Sequence, residues 1–401
     1  MNLLTIFLVF VVLLSIFVFI LLFGQSPQFR HGVLGKLNWI LIAWLPRNIS
    51  RLAHRVLGRT VVNKIYGAWF YCCESRNPFL QIFFISLSGA SILLFLKFAL
   101  PHIPNIYLSS MHRFVLIPGH ICWLYISYYI ICTADPGTIT ADNVQQYLDH
   151  YAYDYILYEP KQCRTCRLKK PARSKHCSMC KGCIGRLDHH CAWINRCVGH
   201  NNQRYFFLFL FSLSEFCIYG TYLCFQIYRS MIIETGLDQA MILDSATGAP
   251  KRISFRKAMI VILQRDRIIG SIGILAMVVA VVVFGFLIYQ LYLTAQGLTT
   301  NEAIKWEILE DAMDCGEIVI LAEDAPKPTP MDNKSRRRKA ASPRSVSSTA
   351  AHSHDVLKPR KIYVDDLSKV EGRNLRFEEL ENIYDHGMMQ NLWNVFFPKS
   401  L

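Results

Sequence analysis

The sequence predicts an all-α polytopic membrane protein of about five transmembrane helices, joined to a cysteine-rich module of short hairpins and loops. Three observations predict it. Of the 401 residues, 52% are hydrophobic, too many for a soluble protein of one or two domains. The apolar residues gather into runs long enough to cross a bilayer. Seven of the fourteen cysteines fall between Cys163 and Cys197, in a basic segment lying between two such runs.

A hydrocarbon core of about 30 Å takes about 20 helical residues. Leu3 to Phe23 and Phe114 to Thr133 contain no charged residue, and Phe79 to Leu100 contains only Lys97. Tyr205 to Tyr228 and Ile268 to Ala295 complete the set. Backbone in lipid must satisfy its own hydrogen bonds, so each run is read as a helix. The first is an anchor rather than a cleaved signal, because it exceeds the roughly 7 to 15 residues of a signal core and no basic stretch precedes it. Lys and Arg crowd both Gly24 to Pro78 and the cysteine segment, which places these in the cytosol and the N-terminus in the lumen. Arg229 to Arg267 should then be lumenal although it is basic; an amphipathic helix on the membrane surface near Phe255 accommodates this.

The domains that follow are an anchor over 1–24, a basic cytosolic linker over 25–78, the second and third spans over 79–133 and a cytosolic cysteine-rich domain over 134–204. The last two spans lie within 205–295 around a lumenal loop, 229–267, and a cytosolic tail covers 296–401. Residues 302–323 of the tail are expected to fold against the module, whereas 325–360, rich in Pro, Ser, Lys and Arg, is expected to be disordered. Its run Arg336-Arg337-Arg338-Lys339 suits anionic lipid, and a nucleic-acid partner is out of place on a chain with five spans. Glu215, an ionisable residue inside a span, is a functional candidate by default. Its more ordinary reading is a protonated or paired glutamate packed against another span. Cys122, Cys132, Cys217 and Cys224 lie in apolar runs and read as packing residues. The adjacent Cys72 and Cys73, near the membrane, are candidates to carry a lipid.

The cluster reads C-x2-C-x9-H-C-x2-C-x2-C-x4-D-H-H-C-x5-C. Thiols at this spacing in the reducing cytosol bind metal or act in catalysis rather than form disulfides. With His176, His189 and His190 there are ten donors, and two closed tetrahedral zinc sites take eight. One thiol and one imidazole are left over. They fall most naturally within Asp188-His189-His190-Cys191, where a carboxylate, an imidazole and a thiol supply an orienter, a base and a nucleophile.

Four motifs in order carry a family resemblance. Asp135-Pro136-Gly137 follows a span, the Asp188-His189-His190-Cys191 cluster comes next, and Thr299-Thr300-Asn301-Glu302 follows the last span. Asn382-Ile383-Tyr384-Asp385-His386-Gly387, with Asn391 and Val395-Phe396, lies near the C-terminus. Together they resemble the DHHC family of protein S-acyltransferases (palmitoyltransferases), whose motifs are DPG, DHHC, TTxE and a C-terminal palmitoyltransferase motif, here about 374–397. The resemblance implies two structural zinc ions in a double zinc-binding module. One would be held by Cys163, Cys166, His176 and Cys183, the other by Cys177, Cys180, His190 and Cys197. It implies that Cys191 takes the acyl group from palmitoyl-coenzyme A as a thioester, with His189 as base and Asp188 orienting it. Thr300 would touch Asp188, and Asn391 would tie the tail to the span ends. Arg164, Arg167, Lys169, Lys170, Arg173 and Lys175 would suit coenzyme A phosphates or lipid headgroups.

Arg196 departs from the family pattern, where many members have asparagine, and so does the N-terminal span. The early span and the tail are similar to fungal members of the endoplasmic reticulum that acylate SNAREs and other proteins with juxtamembrane cysteines, with the Golgi as the alternative membrane. The rival reading is a non-catalytic membrane-anchored zinc module that binds a partner protein.

Overall fold

The computed structural model describes residues 20, 24, 32–71, 75–243, 249–322, 359–363 and 373–401. The expected first span, apart from Ile20, lies outside the described residues, and so do Cys72, Cys73 and all of 325–360 except its last two positions. Those two, Pro359 and Arg360, open a β-strand, so the expectation of disorder ends short of them. Where a linker was expected, helices α1 (Val33–Trp39) and α2 (Leu45–Trp69) flank a π-helical stretch over Ile40–Trp44.

Among the described residues, four helices are long and apolar enough to cross a membrane. The first two are α3 (Phe79–Phe98) and α4 (His112–Thr133). Asn77 starts α3 by accepting from the Phe79 backbone N–H at 3.0 Å. The short helix α5 (Val144–His150) belongs to the cysteine module, and the third span is α6 (Gln203–Glu234). The amphipathic helix α7 (Phe255–Arg265) lies in the loop before the fourth span, α8 (Arg267–Ala295). Asp266 caps α8, accepting from the Ile268 and Ile269 N–H groups at 3.2 Å each. Beyond the membrane helices come α9 (Thr300–Asp314) and α10 (Met388–Phe396).

Helices α6 and α8 pack along each other, with α4 against α6 and α3 against α8. One apolar core, with Ile103, Leu223, Ile227 and Ile269, takes in Ala258 and Ile262 of α7. That packing explains how so basic a loop keeps an ordered helix: its buried face is apolar while Arg256 and Lys257 stay exposed. A second core, with Leu124, Ile131, Phe206, Leu210 and Leu287, packs against Cys191. Glu215 is paired: its Oε1 lies 2.6 Å from Nε2 of His120 on α4, whose ring stacks on Tyr219 at 4.2 Å.

The module consists of strands of two or three residues. Strand β1 (Thr138–Ile139) stands apart in sequence; β2 (Lys161–Gln162) pairs with β3 (Lys169–Lys170), and β4 (Lys175–Cys177) with β5 (Gly182–Ile184). Strand β6 (His189–Cys191) pairs with β7 (Arg196–Val198), and β1 joins the edge of β5. In the loop after α6, β8 (Met241–Leu243) pairs with β9 (Pro250–Arg252). In the tail, β10 (Ile318–Ala322) is the centre of a sheet between β11 (Pro359–Tyr363) and β12 (Arg373–Leu375). Its Ile318 and Ile320 bury against Leu309 of α9, so the segment after the last span is folded, as expected.

Candidate active site

Two groups of four ligand atoms form in the module: Cys163, Cys166, His176 and Cys183, and then Cys177, Cys180, His190 and Cys197. Each draws on the same local geometry. A C-x2-C turn supplies two thiols, and a cross-strand His–Cys pair supplies the rest: His176 opposite Cys183 in the first site, His190 opposite Cys197 in the second. Successive strand residues face opposite ways. His176 and Cys177, adjacent in β4, therefore serve different sites, which is why the two interleave.

The donor sets fit a tetrahedral metal. Zinc–thiolate and zinc–imidazole bonds of about 2.3 and 2.0 Å put ligand atoms about 3.5 to 3.8 Å apart. In the first site Cys166 Sγ is 3.3 Å from His176 Nδ1 and 3.8 Å from Cys183 Sγ. In the second, His190 Nδ1 is 3.4 to 3.6 Å from the three sulfurs, and Cys180 and Cys197 are 3.5 Å apart.

The same alternation separates the neighbouring histidines. In β6, His190 turns toward its metal group while His189 and Cys191 share the other face. His189 Nδ1 lies 2.7 Å from Asp188 Oδ2, and its ring meets Phe206 edge-on at 5.3 Å. Burial alone would lower the His189 pKa, but hydrogen bonds to Asp188 and Cys191 outweigh it and hold it up at about 10.

Asp188 is buried, and burial pushes its carboxyl up; the hydrogen bonds from His189 and Thr300 more than reverse this and leave it below the usual carboxylate range. The Thr300 bond comes from the start of α9. Thr299 is the N-cap: its Oγ1 accepts from the Glu302 N–H at 3.2 Å, while its own N–H donates to Glu302 Oε2 at 2.9 Å. A helix start leaves N–H groups without intrahelical partners and favours an anion beside them. The Thr300 N–H donates to Asp188 Oδ1 at 2.5 Å. Thr299-Thr300-Asn301-Glu302 thus builds a helix start aimed at Asp188, and the contact implied for Thr300 is made by its backbone N–H.

Glu302 is also half of a buried ion pair that sequence reasoning missed. Arg173 Nε and Nη2 donate to its two carboxylate oxygens at 2.7 and 2.5 Å, and the Tyr158 hydroxyl donates to Oε1 at 3.0 Å. Arg173 Nη2 also reaches the Gly297 carbonyl at 2.7 Å, and its guanidinium lies over the Tyr384 ring at 4.6 Å. Only glycine fits at 297: its φ is +69° and a Cβ would come within 2.7 Å of the Tyr384 carbonyl oxygen. Arg173 was expected to meet coenzyme A phosphates or headgroups. At 5% exposure and already paired, it is unavailable to them. Arg164, Arg167, Lys169 and Lys175 are exposed and Lys170 half-buried. Lys305 on α9, not foreseen, joins them; burial first, then the charges of Lys170 and Lys175, lower its pKa to about 8. Asn391 reaches the end of the last span, donating to the Ala295 carbonyl at 2.9 Å and to Asp385 at 2.7 Å.

Beside Cys191 opens a cavity of about 490 Å³ that enters the helix bundle. Its walls come from all four spans, among them Phe84, Leu87, Leu124, Phe209, Val279 and Phe286, with Cys191 and Trp193 in the lining. Almost every wall group is apolar.

A thiol, an imidazole and a buried carboxylate thus stand together beside an apolar cavity inside a bundle of membrane-length helices. The chain belongs to the DHHC palmitoyltransferase family, whose family model, described as DHHC palmitoyltransferase, matches residues 156–307. It is 29% identical to palmitoyltransferase swf1 of Schizosaccharomyces pombe, over 98% of this chain and 96% of that protein. With palmitoyltransferase swf1 of Emericella nidulans it shares 31% identity over 95% and 94% of the two chains. With palmitoyltransferase ZDHHC4 of mouse it shares 28% over 76% and 85%. The chain is a protein-cysteine S-palmitoyltransferase and an integral membrane protein.

Proposed function

We propose that Cys191 is the acyl carrier of this palmitoyltransferase, taking the acyl group from palmitoyl-coenzyme A and passing it to membrane-proximal cysteines of cytosol-facing proteins. The observation that carries the reading is the position of Cys191 in the lining of the apolar cavity, on the same strand face as His189. In the first step the Cys191 thiolate attacks the thioester carbonyl, the bond to coenzyme A sulfur breaks, and the departing thiolate takes a proton from the His189 imidazolium. In the second, a substrate thiol gives its proton to His189 and attacks the Cys191 thioester, which releases the Cys191 thiolate. One thioester replaces another, so neither step needs an outside energy source. A cationic His189 suits this cycle because it stabilises each thiolate in turn. Asp188 keeps the ring oriented and its Nδ1 proton in place.

The cavity removes the chain from water, which is worth about 0.8 kcal/mol per methylene and on the order of 10 kcal/mol for a palmitoyl group. Cys163, Cys166, His176 and Cys183, and Cys177, Cys180, His190 and Cys197, would hold two zinc ions. Bound there, zinc neutralises the thiolates and crosslinks the hairpins. The reading extends to a cytosolic active site, a lumenal N-terminus, the endoplasmic reticulum membrane and substrates such as SNAREs; the Lys and Arg that crowd 24–78 and the cysteine module support the cytosolic placement. A zinc module without catalysis is not favoured, since it gives no use to Asp188, His189, Cys191 or the cavity.

Incubation of the purified protein with palmitoyl-coenzyme A is expected to give a hydroxylamine-sensitive acyl label that is absent from a folded, metal-loaded Cys191→Ser variant. Full label on that variant would sink the assignment. Lys170, Lys175 and Lys305 are suited to the coenzyme A phosphates. Lys305→Ala is expected to raise the KM for palmitoyl-coenzyme A about five- to tenfold, a loss of roughly 1 kcal/mol, with a weaker salt dependence than wild type. An unchanged KM at low salt would remove Lys305 from the phosphate site.

A further inference from the structure

The turn after Cys191 packs onto the ends of the membrane helices through Ile194, which is 1% exposed. Trp193, 46% exposed, joins Cys191 in lining the chain cavity. The turn closes on itself through Ile194 N–H to Cys191 O at 3.3 Å and Asn195 N–H to Ala192 O at 3.2 Å. That leaves the Trp193 and Ile194 carbonyls facing the bundle, where lipid-like surroundings offer no water to bond them.

Two polar side chains on apolar spans meet those carbonyls. The Tyr128 hydroxyl of α4 donates to Trp193 O at 2.9 Å. Gln81 Nε2 of α3 donates to Ile194 O at 3.4 Å and lies 3.3 Å from Cys132 Sγ. The Tyr128 ring is held by Phe84 at 4.6 Å and Phe209 at 5.2 Å, so its hydroxyl has little freedom to leave. Neither Tyr128 nor Gln81 lines the cavity. Arg196, which stands directly across the hairpin from Cys191, adds a third tie by donating to Ala134 O at 3.4 Å.

We propose that Tyr128 and Gln81 are positioning residues for acyl transfer, holding the turn so that Trp193 walls the chain cavity and Cys191 stays at its mouth. This rests on Cys191 being the acyl carrier. The turn is the link between the membrane helices that enclose the chain and the strand that carries the thiol, so fixing it aligns the carbonyl to be attacked with the buried chain. Loosening it leaves the chain in place and lets the thioester wander toward water, where hydrolysis gives free fatty acid and Cys191 thiol without acylating a substrate.

The test uses the full chain in lipid nanodiscs, with Tyr128→Phe, which keeps the ring and removes the hydroxyl, and Gln81→Leu. Both variants are expected to keep wild-type metal content and a KM for palmitoyl-coenzyme A within about twofold. Their kcat for transfer to a substrate peptide thiol should fall about tenfold, the scale on which small misplacements act. The fraction of acyl-enzyme lost to hydrolysis should rise several-fold, a readout that general destabilisation would not move alone. The double variant should fall by less than the product of the two single effects, because both bonds hold one turn. Wild-type kcat and wild-type partition in both single variants would overturn the proposal; if Gln81→Leu does not fold, Tyr128→Phe alone decides it. Failure of the wild-type protein to form acyl-Cys191 in the same assay would instead overturn the reading beneath it.

Discussion

Replacing His189 with alanine is expected to leave two metal ions bound per chain and to lower the rate of acyl-enzyme formation about 100- to 10,000-fold, the usual span for a proton-transfer group. Replacing its neighbour His190 is expected to lose the metal of the second site and the order of the β6–β7 hairpin with it. Strand geometry sets the difference. His190 and its cross-strand partner Cys197 face Cys177 and Cys180, whereas His189 turns to Asp188 and Cys191. Binding of structural zinc contributes about 10 to 16 kcal/mol to folding in small modules, so loss of one ligand is felt as unfolding rather than as a slower step. Metal per chain by emission spectroscopy, read beside single-turnover acylation, separates the two outcomes. Equal metal loss in both variants would defeat the division of labour between the histidines.

That division shows how far the sequence could be read. The count of ten donors for eight places showed that one imidazole was surplus, and C-x2-C spacing marked the thiols that chelate locally. Which histidine is surplus follows in the sequence only from the family resemblance, because strands three residues long leave no periodicity to detect. Apolar runs of bilayer length give a signal over about 20 residues, and three of the four described spans fall within two residues of the expected bounds, while α6 runs on to Glu234, six residues past Tyr228 and into the expected loop. Charge gives no such signal of depth. Arg173 looks in sequence like Arg164 or Lys169, yet it is the one that the fold buries against Glu302. Lys305, Tyr128 and Gln81 lie far along the chain from the groups they touch, and nothing local to them announces those contacts.

Glu302→Gln preserves volume and removes the charge that Arg173 faces, and it is expected to destabilise the protein by about 3 to 5 kcal/mol, the range for breaking a buried pair from one side. Thermal unfolding in detergent, followed by tryptophan fluorescence, would show a lowered midpoint, and a wild-type midpoint would mean that the pair is dispensable. Replacing both partners, as Arg173→Met with Glu302→Gln, should recover part of the loss because no lone charge stays buried; a double variant worse than Glu302→Gln alone would contradict this. The pair also sets a pH dependence. Burial pushes the Glu302 carboxyl up, but Arg173 more than offsets that and holds its pKa below the usual value. Its contribution to stability is therefore fully present above the unfolded pKa, about 4.3, and is lost as pH falls through the lower folded value. Glu302→Gln should flatten this acid limb. The effect reaches the active site through one turn of helix, since Glu302 closes the cap on α9 two residues after Thr300. A loosened cap releases the N–H that holds Asp188, and Asp188 in turn orients His189. Acylation should consequently fall in Glu302→Gln even at temperatures where the protein stays folded, with the metal sites still filled.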